Sequence, residues 1–199
     1  MYCRSSHLPG VPNTPAREFR KGGLLRDCRD IVMEYRDGKD AYTKRSLTKK
    51  YMGDAKLDHV LEIHVVRDAF DKVKKQGRNF LQRQQVLKDE LKDLVNEETN
   101  LNFTTSSINN MKYSAFKEFQ EDYNRGSVHK YKDAGLYGYL RTRSHDSTKI
   151  RLSRDVSRRI RRETIYSYDF ISDCLQEEDG LQGDFVEYLH DNMVAMRLF

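Results

Sequence analysis

Two short stretches of this chain carry side chains able to do chemistry. In Leu57-Asp58-His59-Val60-Leu61-Glu62 a carboxylate and an imidazole interrupt an apolar run, and Asn100-Leu101 is followed by Asn109 and Lys112 at the start of a helical pattern. The Asp58 carboxylate and the Asn109 carbonyl oxygen are hard ligands of the kind magnesium takes, with manganese as its substitute. Neutral imidazole, with an ordinary pKa of about 6.5, makes His59 a suitable general base near neutral pH. Lys112 lies one helical turn beyond Asn109 on the same face, within reach of a substrate phosphate. Taken alone, each stretch also has a structural explanation, since an Asp-His pair can close a turn and an Asn near a helix start can cap it. Asn110 is a frame-shifted rival of Asn109, and Glu62 and His64 are rival ligands.

The surrounding pattern says which elements must hold these groups. Leu57 to Val66 reads as a short strand running into a helix, continued by Val66, Ala69, Phe70 and Val73 until Gly77. A second helix, from about Phe80 to Asn96, buries Leu87, Leu91, Leu94 and Val95. Leu101 to Thr105 is β-preferring, and Ser106-Ser107 offers the N-cap of a helix whose apolar face is Ile108, Met111, Ala115, Phe116, Phe119 and Tyr123. Gly126 closes that helix. Upstream, Leu24 to Arg36 has the spacing of one helix ended by Asp37-Gly38. Downstream, Asp133 to Tyr139 reads as a turn region, followed by helices from Ser153 to about Gln176 and from Gly183 to about Met196.

In order, spacing and predicted context, these residues resemble the HNH family of ββα-metal nucleases. There, a first strand carries Asp-His, as in Leu57-Asp58-His59-Val60. A second strand opens with Asn-Leu, as in Asn100-Leu101. An Asn or His nine residues on sits on the helix, with Lys after two more residues, as in Asn109 and Lys112. The resemblance covers roughly residues 55 to 123. The insert between His59 and Asn100 is longer than in compact members, and the zinc-binding cysteines of many members are absent. It implies a metal-dependent endonuclease: Asp58 and Asn109 hold the ion, His59 activates water, Asn100 ties the loop so that His59 keeps its orientation, and Lys112 contacts phosphate. The expected fold is α+β, a small ββα-metal motif embedded in a mostly helical chain with a helical C-terminal region.

Charge and composition bound the partners. The net charge is +5 over 199 residues, and Arg141 to Arg162 holds nine basic residues against two acids. Eight of the nine are arginines, which suit forked contacts to phosphate. Arg158, Arg159, Arg161 and Arg162 are therefore the expected nucleic-acid contacts, with DNA ahead of RNA; the plainer reading is a solvated helix face. Three cysteines at unpatterned spacings suggest reduced thiols and an intracellular setting, cytoplasmic or nuclear. No run of eighteen apolar residues exists, and Pro9, Pro12 and Pro15 interrupt the N-terminal stretch, which excludes a membrane-spanning reading. The expected organisation is a flexible tail over 1–23, an HNH-like core over 24–125 and a basic helical region over 126–199. The alternative function is a non-catalytic nucleic-acid or protein-binding module that retains the HNH-like fold.

Overall fold

The computed structural model describes residues 13–76, 81–128, 135–141, 152–176 and 180–199. Arg143, Lys149 and Arg151 of the basic stretch, and Asp133 of the expected turn, lie outside them. Among the described residues the chain is mostly helical, with one two-stranded antiparallel sheet. Strand β1 (Ala55–His59) pairs with β2 (Leu101–Thr105), and the register sets Asp58 opposite Asn102 and His59 opposite Leu101. Helix α6 (Ser106–Asn124) follows β2 directly and packs on both strands, so the expected ββα element is present.

Because side chains alternate across a strand, the sheet has two different faces. One carries Asp58, Asn102 and Thr104, all buried, and it turns toward α6. The other carries Leu57, Leu101 and Phe103, which join Leu24, Val32 and Leu47 in a small apolar cluster. That cluster rests against α1 (Leu24–Asp27) and α2 (Arg29–Tyr35). The single helix expected from Leu24 to Arg36 is thus two, broken at Cys28. Arg36 fixes α2 in place by donating to the carbonyls of Leu101 and Thr99, each at 3.0 Å, and to Glu163 at 2.9 Å.

The main core lies on the other side of the ββα element. α4 (Ile63–Gln76) buries Val65, Val66, Ala69, Phe70 and Val73 against α9 (Leu181–Ala195), and α5 (Leu81–Leu94) adds Leu87 and Leu91. α8 (Arg154–Gln176) contributes Ile160, Tyr168, Ile171 and Leu175 at helical spacing. The short helices α3 (Lys49–Met52) and α7 (Leu136–Arg141) complete the set, the latter in place of the expected turn up to Tyr139. One cluster of buried side chains runs from Phe19 to Leu198, so the C-terminal helices share a core with the ββα element. No helix among the described residues is long and apolar enough to cross a membrane.

Of the tail expected over 1–23, residues 1–12 lie outside the described residues, and the rest is not free. From Thr14 onward the chain is docked: the Thr14 amide donates to both oxygens of Asp71 at 3.0 and 3.2 Å, and Phe19 is fully buried edge-on to Phe70. An aromatic ring that precedes the first helix gives no periodic signal, so periodicity alone assigns it to the tail. The cap of α6 also moves by one residue. Thr105, the last residue of β2, accepts from the Ile108 amide at 3.3 Å, and Ser106 is already helical.

Candidate functional site

The strand pleat sends Asp58 and His59 to opposite sides of the sheet, and each finds a different environment. Asp58 is 3% exposed. One of its oxygens accepts from the Tyr42 hydroxyl at 2.5 Å, and the other lies 3.2 Å from the Lys112 ammonium. Lys112 is fully buried, and its remaining contacts are the His59 carbonyl at 2.7 Å and the Glu62 carboxylate at 2.6 Å. The Phe116 ring covers it at 5.2 Å. Three N–H donors thus meet three oxygens, and none is left over.

Electrostatics agree with that geometry. Burial by itself lowers the pKa of Lys112, but Asp58 and Glu62 outweigh it and hold the ammonium above its ordinary range. Burial pushes Asp58 up to about 6 against the pull of Lys112. Tyr42, buried beside that carboxylate, is raised well above the usual phenol range and stays a donor.

Two expectations are corrected here. Lys112 does not face a substrate phosphate, because it is sealed and its donors are spent inside the fold. Asp58 does not present an open carboxylate to a divalent ion, because Tyr42 and Lys112 already occupy both oxygens. As arranged, the donor set does not fit the metal that the resemblance implies. Asn109 stands half-buried on the first turns of α6, and its neighbour Asn110 is exposed.

Asn100 is fully buried in the turn just before β2. Its side chain accepts from the Leu61 amide at 2.6 Å and donates to the Val95 carbonyl at 2.9 Å, while its own carbonyl accepts from Val60 at 2.8 Å. It therefore clamps the segment just after His59, a positioning role.

His59 meets Asn96 on its side of the sheet, with Nε2 3.0 Å from the Asn96 Oδ1. Asn96 donates its amide nitrogen to the carbonyls of Phe19 at 2.7 Å and Lys92 at 2.5 Å, so its oxygen must face the ring. Nε2 is then the donor, and Nδ1 keeps the lone pair. Burial lowers the His59 pKa, against the hydrogen bond with Asn96, and holds the ring neutral at physiological pH.

His59 also lines a groove of about 690 Å³ with Arg20, Lys21, Arg26 and Arg29 at its edge and Leu24, Met52, Ala55 and Phe103 on its apolar wall. That lining holds four cations and no carboxylate. Outside it, Lys21 pairs with Asp93 and Arg26 with Asp27, both at 3.0 Å. Sequence reading missed this groove because its cations are scattered among apolar residues over ten positions and form no run. Its cue was the Gly22-Gly23 break, where Gly23 adopts φ of 76° at the start of α1.

No family model, curated protein or solved structure matches this chain.

The expected arginine contacts on α8 divide. Arg161 donates through Nε and Nη2 to the Leu198 carbonyl at 3.2 and 3.1 Å, Arg159 donates to the Tyr42 carbonyl at 3.2 Å, and Arg162 pairs with Glu163 at 3.0 Å. Arg158 is exposed. Three of the four are thus engaged within the fold, two of them tying α8 to distant segments. Asp40 is a further residue that sequence reading passed over. Fully buried, it accepts from the Tyr42 amide at 2.8 Å, Tyr51 at 2.6 Å, Thr43 at 2.7 Å, Thr104 at 3.1 Å and Asn102 at 3.1 Å. It thereby sets the loop that delivers Tyr42 to Asp58.

Proposed function

We propose that this chain acts on nucleic acid as a phosphodiesterase, with His59 as general base and the Arg20–Arg29 groove as the seat of the backbone. The observation that carries this reading is the placement of His59: a ring anchored through Nε2 to Asn96 in the wall of a groove that is also lined by four cations. Such a group takes a proton from an attacking hydroxyl as its oxygen bonds to phosphorus and the ester P–O bond breaks, the leaving oxygen taking its proton from the imidazolium or from water, while guanidinium groups offset the charge that develops on the non-bridging oxygens. Asn100 supports it by holding the turn after His59. No step is assigned to a divalent ion.

A second reading is a nucleic-acid-binding module without turnover. The sealed Asp58–Lys112–Glu62 cluster favours it, since that cluster fills the space between the strand and the helix with the protein's own charges. Incubation with supercoiled plasmid, single-stranded DNA and RNA, each in magnesium and in chelator, separates the two. Cleavage that His59→Ala abolishes while binding persists supports the phosphodiesterase. Binding with no cleavage of any substrate leaves the module, and no binding at all removes both.

A further inference from the structure

We infer that the Lys112 ammonium is the resident cation of the ββα element, placed among three oxygens that form a latent site for a hard divalent ion. This goes beyond the proposed activity and does not rest on it, because it concerns the opposite face of the sheet from the groove.

The three oxygens are Asp58 Oδ1, Glu62 Oε1 and the His59 carbonyl, at 3.2, 2.6 and 2.7 Å from one nitrogen. Two carboxylates and a backbone carbonyl converging on one point form the donor set that calcium, magnesium or manganese takes. Here a side chain from α6 enters that point instead. The ammonium is wholly shielded, with Phe116 behind it and Tyr42 closing the far oxygen of Asp58. His64 approaches the far oxygen of Glu62 at 3.8 Å. The cluster of Asp58, Glu62 and Lys112 then carries one net negative charge.

A divalent ion can enter only by driving Lys112 out. The displaced ammonium would have to leave a fully buried position through packed side chains, and two like charges cannot share a point within ~3 Å of each other in a poorly solvated site. The wild-type element is therefore organised by lysine, and removal of the lysine uncovers the ion site.

Thermal unfolding of the full chain tests this. Wild-type protein should melt at the same temperature in chelator and in millimolar calcium, magnesium or manganese. Lys112→Ala should melt lower in chelator and recover on adding calcium or manganese, by roughly 5–10 °C when the ion is about a hundredfold above its Kd. Adding Asp58→Asn to Lys112→Ala should remove the recovery. A wild-type melting temperature that rises with metal overturns the inference, as does Lys112→Ala that folds and gains nothing from any of the three ions. Should Lys112→Ala not fold, manganese titrated into wild-type protein gives a second readout. Unbroadened NMR signals of the His64 and Tyr42 rings support a seat closed by lysine, and broadening overturns it. Because these readouts do not involve cleavage, an inactive protein leaves the inference standing and an active one does not prove it.

Discussion

His59 and Asp58 are neighbours in sequence with opposite surroundings, and the pleat of one strand is the reason. His59→Ala should leave nucleic-acid binding close to wild type, because the groove cations remain, and should lower turnover by ~10²–10⁴-fold. Cleavage and a fluorescence binding curve on the same variant check both halves; weakened binding with unchanged turnover per bound complex would show the ring to be a contact only. Since burial lowers the His59 pKa from 6.5, the acid limb of the rate profile should fall below that pH. On the other face, Lys112→Met leaves two buried carboxylates without their counter-charge, and urea unfolding should show a loss of about 3–5 kcal/mol. Tyr42→Phe, which removes one hydrogen bond to Asp58, should cost about 1–3 kcal/mol.

Between elements, the arginines sort by what they touch. Those of the groove come from the residue after the docked N-terminal turn, from α1 and from the first position of α2, whereas Arg159 and Arg161 of α8 are committed to carbonyls of Tyr42 and Leu198. Replacing Arg20, Arg26 and Arg29 with Gln should reduce the slope of log K against log salt by about 0.7–0.9 for each phosphate no longer neutralised, with little change in unfolding. Replacing Arg159 and Arg161 with Gln should do the reverse, lowering stability and leaving the salt slope in place. Filter binding across a salt series, paired with urea midpoints, measures both sets. An unchanged slope in the groove triple variant would place the backbone elsewhere.

For the molecule as a whole, stability depends on segments far apart in sequence and on buried histidines. Phe19 fills a position between the N-terminal turn and α4, so Phe19→Ala should cost about 3–5 kcal/mol even though it precedes the first helix. His64 stays neutral in the fold down to about pH 4 but takes up a proton near 6.5 when unfolded, so unfolding is favoured progressively as pH falls from 6.5 to 4. Over that window the effect approaches ~3 kcal/mol for a shift of this size. Asp58 has the opposite sign: its raised pKa favours the fold as pH falls from about 6 toward 3.8 and offsets most of the loss. Urea midpoints across this range should therefore decline only slightly on acidification in wild type, and hold or rise in His64→Asn. An equal decline in both would place the acid sensitivity elsewhere.

The ββα element was legible from the chain alone because its signals are local. Apolar alternation around Asp58, a β-preferring run at Leu101, and helical spacing from Ile108 to Phe119 each act within a few residues, and hydrogen bonding obliges such patterns to become strands and a helix. The same applies to α5, α8 and α9, whose apolar faces repeat along a single element. What the side chains meet depends on residues tens of positions away, and no local pattern encodes that. Tyr42 reaches Asp58 because Asp40 holds its loop, Asn96 orients His59 because Phe19 accepts from its amide, and α8 spends Arg159 and Arg161 on carbonyls of distant segments. Spacing placed Lys112 beside the other site residues, but burial decided its role. A charge with no route to water must be paired within the fold, and Asp58 and Glu62 were the carboxylates within reach.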